Sequence, residues 1–333
     1  RDTVIVKPSS LLNWDVGGYG SSRKAAVRIV SSTGIDFSSI TFDFDTVKGN
    51  NVVGVFYWDS TGVVNDNVLK NMSLPDTSGG YYEIGSYVRA PSFSDASRAA
   101  VTFSNNSFVN TGRVGIVVHD FVQMNVIGNS FEKTIDDFGY AVEMGSRSTG
   151  VISGNTISGY DTPAASDGSA SAALYIENCF TGGLPHVNKP VDVSDNTITG
   201  NQFGICIGNE YSGYAGDVDI RVILLNNTIT GNTDAGVFVA DEDRSAGSSV
   251  LLNASGNIVQ NNGDVGYWFW TYNDGSLTAR LSGETISGHG VGVDVGIDTT
   301  TGAGSVYDLS ARFSSITDNS TWGIDVDSAV GAT

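Results

Sequence analysis

Short runs in which apolar and polar residues alternate recur along the whole chain, and they are of two kinds. One kind runs into a small-residue and asparagine turn: VTFSNNSF, NVIGNSF, GVISGNTI, VDVSDNTI and LLNASGNI. The other kind starts at a glycine: GIVVHD, GICIGN, GVFVAD, GYWFW, GVDVG and GIDVD. A period of two puts every second side chain on one face, so both kinds predict strands with one buried side. No stretch sustains a 3.6-residue apolar period, and no helix is predicted.

The hexapeptide NTITGN stands at Asn196–Asn201 and again at Asn227–Asn232. Aligning on its first residue gives anchors at Ser39, Asn67, Asn106, Asn129, Asn155, Asn196, Asn227, Asn257, Glu284 and Ser315, between 23 and 41 residues apart. Self-similarity with such a period marks a solenoid, in which each repeat buries its apolar face only against its neighbours. Stacking places identical positions above one another. The anchor asparagine is expected to take the left-handed conformation at the bend, to stack its amide along the axis, and to send the apolar residue two positions on into the core. About ten coils at about 4.8 Å each predict a rod roughly 45–50 Å long.

The NTITGN grammar followed by GICI at Gly204–Ile207 resembles the right-handed parallel β-helix repeat proteins of the pectate-lyase-like superfamily, over roughly Val27–Asp327. The resemblance implies an all-β, single-stranded right-handed parallel β-helix over residues 27–333, with residues 1–26 as an N-terminal cap or partial coil. It leaves function open, because that fold hosts lyases, hydrolases, epimerases, phage tail spikes and adhesins.

Composition agrees with short strands and many turns. Gly stands at 42 and Pro at 6, charged residues are 16% against about 25% in average domains, and hydrophobic content of 40% is enough for a core. The net charge of −19 repels nucleic acid and anionic membranes, and suits a secreted or cell-surface protein in a salty medium. It favours a neutral glycan over an acidic one unless a basic patch or a bridging cation such as Ca2+ intervenes. No cofactor is required by any motif. Cys179 and Cys206 are the only cysteines and fall four positions out of alignment, so two free thiols are expected. No apolar run approaches the ~20 residues needed to cross a bilayer, and any export signal is expected outside this sequence. Oligomerisation is left open.

Stacking also lets the outward side chains of the post-glycine strands be read in columns. The first column reads Phe56, Val117, Glu143, Tyr175, Cys206, Phe238, Trp268, Asp294, Asp325, and the second Trp58, His119, Gly145, Glu177, Gly208, Ala240, Trp270, Gly296, Asp327. One surface thus carries an acidic centre beside an aromatic stretch of Phe238, Trp268 and Trp270. Flat rings flanked by carboxylates suit a sugar chain, whose CH faces stack on rings while its hydroxyls bond to acids. The loops Asn178–Pro190, Asn209–Asp217, Asp241–Ser249 and Thr271–Ser276 leave from the same side, and Lys189 and Tyr211 lie in two of them as further substrate contacts. A longer loop is expected over Asn71–Arg98.

Glu143 and Glu177 fall on adjacent coils, as a carboxylate pair or half of a cation site would. With His119, Tyr175 and Arg147 they supply an acid, a base and charge neutralisation, the set needed by a polysaccharide lyase or uronan epimerase; a glycoside hydrolase needs only the two acids. Val117–Asp120 keeps only the His-Asp of the Asp-Pro-His-Asp/Glu motif of mannuronan C5-epimerases. Asp136–Asp137 and Gly288–Gly290 echo polygalacturonase fragments but stand too far apart to act together, and His186 and His289 read as loop residues. The opposing expectation is a non-catalytic adhesin or tail-spike-like module.

Overall fold

The computed structural model describes residues 4–6, 12–14, 23–45, 52–74, 83–90, 99–120, 122–145, 147–163, 170–177, 180–181, 190–208, 218–241, 249–272, 276–298 and 306–327. Three sheets of 11, 11 and 12 strands run the length of the rod. Each coil gives one strand to each. Val191–Ser194, Thr197–Thr199 and Phe203–Gly208 form one coil, and Val218–Leu225, Thr228–Thr230 and Ala235–Asp241 form the next. We call the three the pre-anchor, anchor and post-glycine sheets. Pairing between these coils is parallel. Two antiparallel additions occur, Leu12–Trp14 on Arg23–Val30 and Phe180–Thr181 on Val218–Asp219. No helix occurs among the described residues.

The inward side chains form one continuous core. Ile157, Ile198, Ile229 and Ile286 stack in the anchor sheet, and Ile205, Ile207, Val237 and Val239 in the post-glycine sheet, each fully buried. Burying one such side chain contributes about 1.5–3 kcal/mol. The last coil leaves its own core positions uncovered: Ile324 and Val326 are half exposed.

At the first corner, before each anchor strand, the work is divided between two residues. The left-handed conformation falls on the residue before the anchor: Asp66, Asn105, Gly128, Gly154, Asp195, Asn226, Gly256 and Gly283 all have φ between 53° and 69°. The anchor asparagine itself points inward, which corrects the expectation that it makes the bend. Asn196 donates from its backbone N–H and its Nδ2 to Oδ1 of Asn227, at 3.1 and 2.9 Å, and Asn227 does the same to Asn257 at 2.8 and 2.9 Å. The pattern is unbroken from Asn67 through Asn106, Asn129 and Asn155 to Glu284. The pairing corrects both terminal anchors. Thr41 pairs with Val68, so Ile40 and not Ser39 aligns with Asn67; Ser315 pairs with Thr285, so the anchor there is Ser314.

A second ladder, not foreseen from sequence, runs through the other end of the hexapeptide. Asn201 Nδ2 donates to Asn232 Oδ1 at 2.9 Å, and Asn232 to Asn262 at 2.7 Å. His289 occupies the next rung, 3% exposed, with Nδ1 3.1 Å from the Asn262 carbonyl and Nε2 3.0 Å from that of Val259. It is a buried rung rather than a loop residue.

Three measurements check this account. Asn227→Ala should cost about 3 kcal/mol in denaturant unfolding, because Asn196 and Val193 lose buried partners, whereas Thr228→Ala on the outer face should cost below about 0.5 kcal/mol. Phe313 holds the left-handed position at φ 53° while 95% exposed, so Phe313→Gly should raise stability by about 1 kcal/mol by releasing strain at no loss of packing. Glu284 accepts from Asn257 at 3.1 Å and from the Tyr267 hydroxyl at 2.6 Å, yet burial holds its carboxyl above the ordinary range. A raised folded value means its contribution is full below the unfolded value and is lost as pH rises through the folded one. Glu284→Gln should therefore melt higher than wild type at pH 7, by a difference that shrinks towards pH 4.

Candidate functional site

The candidate site lies on the outer face of the post-glycine sheet. The strand pairing reproduces both outward columns read from the sequence and adds a coil that was missed. Ile84–Arg89, inside the segment expected to be a long loop, is a strand that puts Tyr87 beside Phe56 and Val117, and Arg89 beside Trp58 and His119. The signal in the sequence is Gly85, which falls in line with Gly54 and Gly115 of the neighbouring coils.

His119, Glu143 and Glu177 converge. His119 Nε2 lies 2.8 Å from Glu143 Oε1, and one ligand atom from each of the three falls within 4.8 Å of the others. His119 and Glu177 belong to strands two apart, about 9.6 Å. They meet because the residue between them is Gly145, which pairs with Glu177. A Cβ there would stand 2.6 Å from His119 Cδ2 and 2.8 Å from Glu177 Oε1. The expectation of solvent-facing acids needs correcting: Glu177 is 8% exposed and the Glu143 side chain 13%. Burial alone would lower the pKa of His119; the bond and charge of Glu143, with the charges of Glu177 and Asp120, outweigh it and raise it.

The neighbours fix these groups in place. Tyr87 packs edge-on to the His119 ring at 5.9 Å. Tyr175, beside Glu143 in the pairing, stacks on Tyr140 at 4.8 Å. Arg89 Nε donates to Asp120 Oδ2 at 2.6 Å, and its guanidinium lies 5.7 Å from the centre of the Trp58 ring. Arg147 is buried in the turn after Tyr140–Gly145, at φ 65°. The aromatic stretch continues along the same face: Phe238 and Trp268 lie 4.9 Å apart, and Trp268 and Trp270 6.2 Å apart at 80°. Lys189, Tyr211, Cys179 and His186 lie outside the described residues, and Cys206 is a buried thiol.

Residues 92–308 match the family model of the right-handed beta helix region. The chain belongs to that family. No curated protein sequence matches this β-helix. Among solved structures, the A-module of the mannuronan C-5 epimerase AlgE6 of Azotobacter vinelandii aligns with it at a TM-score of 0.42 and 12% identity, covering 89% of this chain and 83% of that one. The periplasmic alginate epimerase AlgG aligns at 0.39 and 11%, covering 86% and 78%. At these scores neither alignment bears on activity.

One further polar cluster of the β-helix escaped sequence reading. Lys133 is fully buried and donates to Asp137 Oδ2 at 3.2 Å and to the carbonyls of Asp137 and Phe138, with the Tyr160 ring 5.0 Å away. Asp137, half of the Asp-Asp echo, is thereby a structural counter-ion. Apart from their spacing of four, nothing in the sequence pairs these two residues.

Proposed function

We propose that this β-helix works outside the cell, binds a polysaccharide across the outer face of its post-glycine sheet, and alters it chemically at the His119–Glu143–Glu177 cluster. The observation that carries the reading is the convergence of those three side chains over Gly145, on the face that also holds Phe238, Trp268 and Trp270. Rings of this kind give a sugar chain something to stack on, and the cluster gives it acid–base groups within reach.

The reaction that fits best is removal of the proton next to a uronate carboxylate. That proton becomes acidic enough only when the carboxylate charge is offset. Arg89, which donates to Asp120, and His119, whose pKa its acidic neighbours raise, put positive groups on this face although the chain carries −19. Charges farther than about 8–10 Å are screened at moderate salt. Glu177, Tyr175 and His119 are the groups able to take and return the proton. Loss of the neighbouring glycosidic oxygen then gives an unsaturated sugar, and protonation from the opposite face gives an epimer. The two carboxylates, with oxygens within 4.8 Å of each other, are also close enough for a retaining hydrolase, which the products distinguish.

One observation favours the second reading, a non-catalytic module. Phe203, Phe238, Trp268 and Trp270 pack on one another, and a self-packed patch needs no ligand to cover it.

The test is a panel of neutral and acidic polysaccharides, read by reducing ends, by absorbance of unsaturated uronates, and by NMR of a uronan for epimerisation. Wild type should alter one glycan class, and the Glu143→Gln/Glu177→Gln variant should lose at least about 100-fold of that rate. A panel in which nothing is bound or altered would remove the enzyme reading in favour of the structural module.

A further inference from the structure

We infer that His119, Glu143 and Glu177 form a binding site for a divalent transition metal ion, of the Zn2+ or Mn2+ class rather than Ca2+.

The donor set is one imidazole nitrogen and two carboxylate oxygens, drawn from three successive coils and already within 4.8 Å of one another. Three ligands sharing a small divalent ion lie about 3.3 Å apart, given metal–ligand distances of about 2.0–2.2 Å. The present separations therefore need shifts on the order of 1 Å, within the reach of side-chain torsions on fixed strands. His119 and Glu143 now share a hydrogen bond of 2.8 Å, and an ion replaces that bond with two stronger ones.

Electrostatics points the same way. Two carboxylates held this close in a mostly buried site repel each other, and a single imidazole offsets at most one of them. A dication offsets both. The space is built by a missing side chain: where Gly145 stands, any Cβ would collide with both His119 and Glu177. A side chain at that position would push both of them away from their present placement.

Ligand chemistry selects the ion. Imidazole suits zinc and iron and the two carboxylates suit manganese, whereas calcium takes six to eight oxygen ligands and gains little from a ring nitrogen. Three protein ligands leave coordination positions for water or a sugar oxygen, as in catalytic rather than structural sites. The role in turnover rests on the polysaccharide reading. There, a bound ion would supply the positive charge opposite the sugar carboxylate, and proton transfer would fall to Tyr175, beside Glu143.

The test uses full-length protein stripped with a chelator and checked for residual metal. ZnCl2, MnCl2 and CaCl2 are titrated by calorimetry, and Mn2+ is followed by electron paramagnetic resonance. The expected result is one saturable site at which Zn2+ or Mn2+ binds at least about 100-fold more tightly than Ca2+. Glu177→Gln and Gly145→Ala should each weaken it at least about tenfold; the second keeps all three ligands and only fills the space between them. Asp308→Asn, an exposed acid on the pre-anchor sheet, should leave affinity unchanged. Circular dichroism with a retained thermal transition establishes that each variant is folded. No saturable site, equal affinity for Ca2+, or affinity indifferent to both site variants would overturn the inference. Glycan turnover that persists in chelator would also overturn the metal's role while leaving the polysaccharide reading intact. Metal binding without any glycan turnover would do the reverse.

Discussion

Everything in this molecule depends on the amide-to-amide hydrogen bond between anchor asparagines of successive coils. A parallel ladder alone fixes the spacing of coils but tolerates slippage along the strands, and a slip of one residue would turn every core side chain outward. The buried asparagines remove that freedom. Each has its donors and its acceptor satisfied only when the anchors are aligned, and an unsatisfied buried amide costs about 1–3 kcal/mol. Repeated from Asn67 to Asn257, the penalty for misalignment accumulates along the rod.

Alignment at the corner is what makes a site possible on the face. Side chains two coils apart in space and 58 residues apart in sequence, His119 and Glu177, meet because their strands are locked in step and Gly145 leaves the space over which they lean. The same lockstep brings Phe238, Trp268 and Trp270 into ring contact. Function on such a scaffold is a matter of which residue type falls in which column.

That is also why so much was legible in advance. Once the period was found, inward and outward positions followed by counting, and the columns holding His119, Glu143, Glu177 and Trp270 were correct. What stayed hidden were the places where one residue type serves two physical ends. Asparagine both adopts positive φ and hydrogen-bonds sideways, so the sequence assigns both roles to the anchor Asn227, whereas Asn226 bends the chain and Asn227 pins it. Arg89 escapes because its strand lies inside the 39-residue interval between Asn67 and Asn106, where Gly85 is its mark and the rest reads as a loop. Lys133 and Asp137 could not be foreseen, since only tertiary packing shows that a charged pair is buried.

The ladder also has a sense of direction. From anchor to anchor, each asparagine donates towards the C-terminal end and accepts at Oδ1 from the N-terminal side, while its Nδ2 also donates back to a carbonyl of an earlier coil. A carboxylate can receive but cannot pass on, and Glu284 stands at the receiving end of the asparagine run. The two ends of the asparagine run, Asn67 and Glu284, are thus chemically unlike.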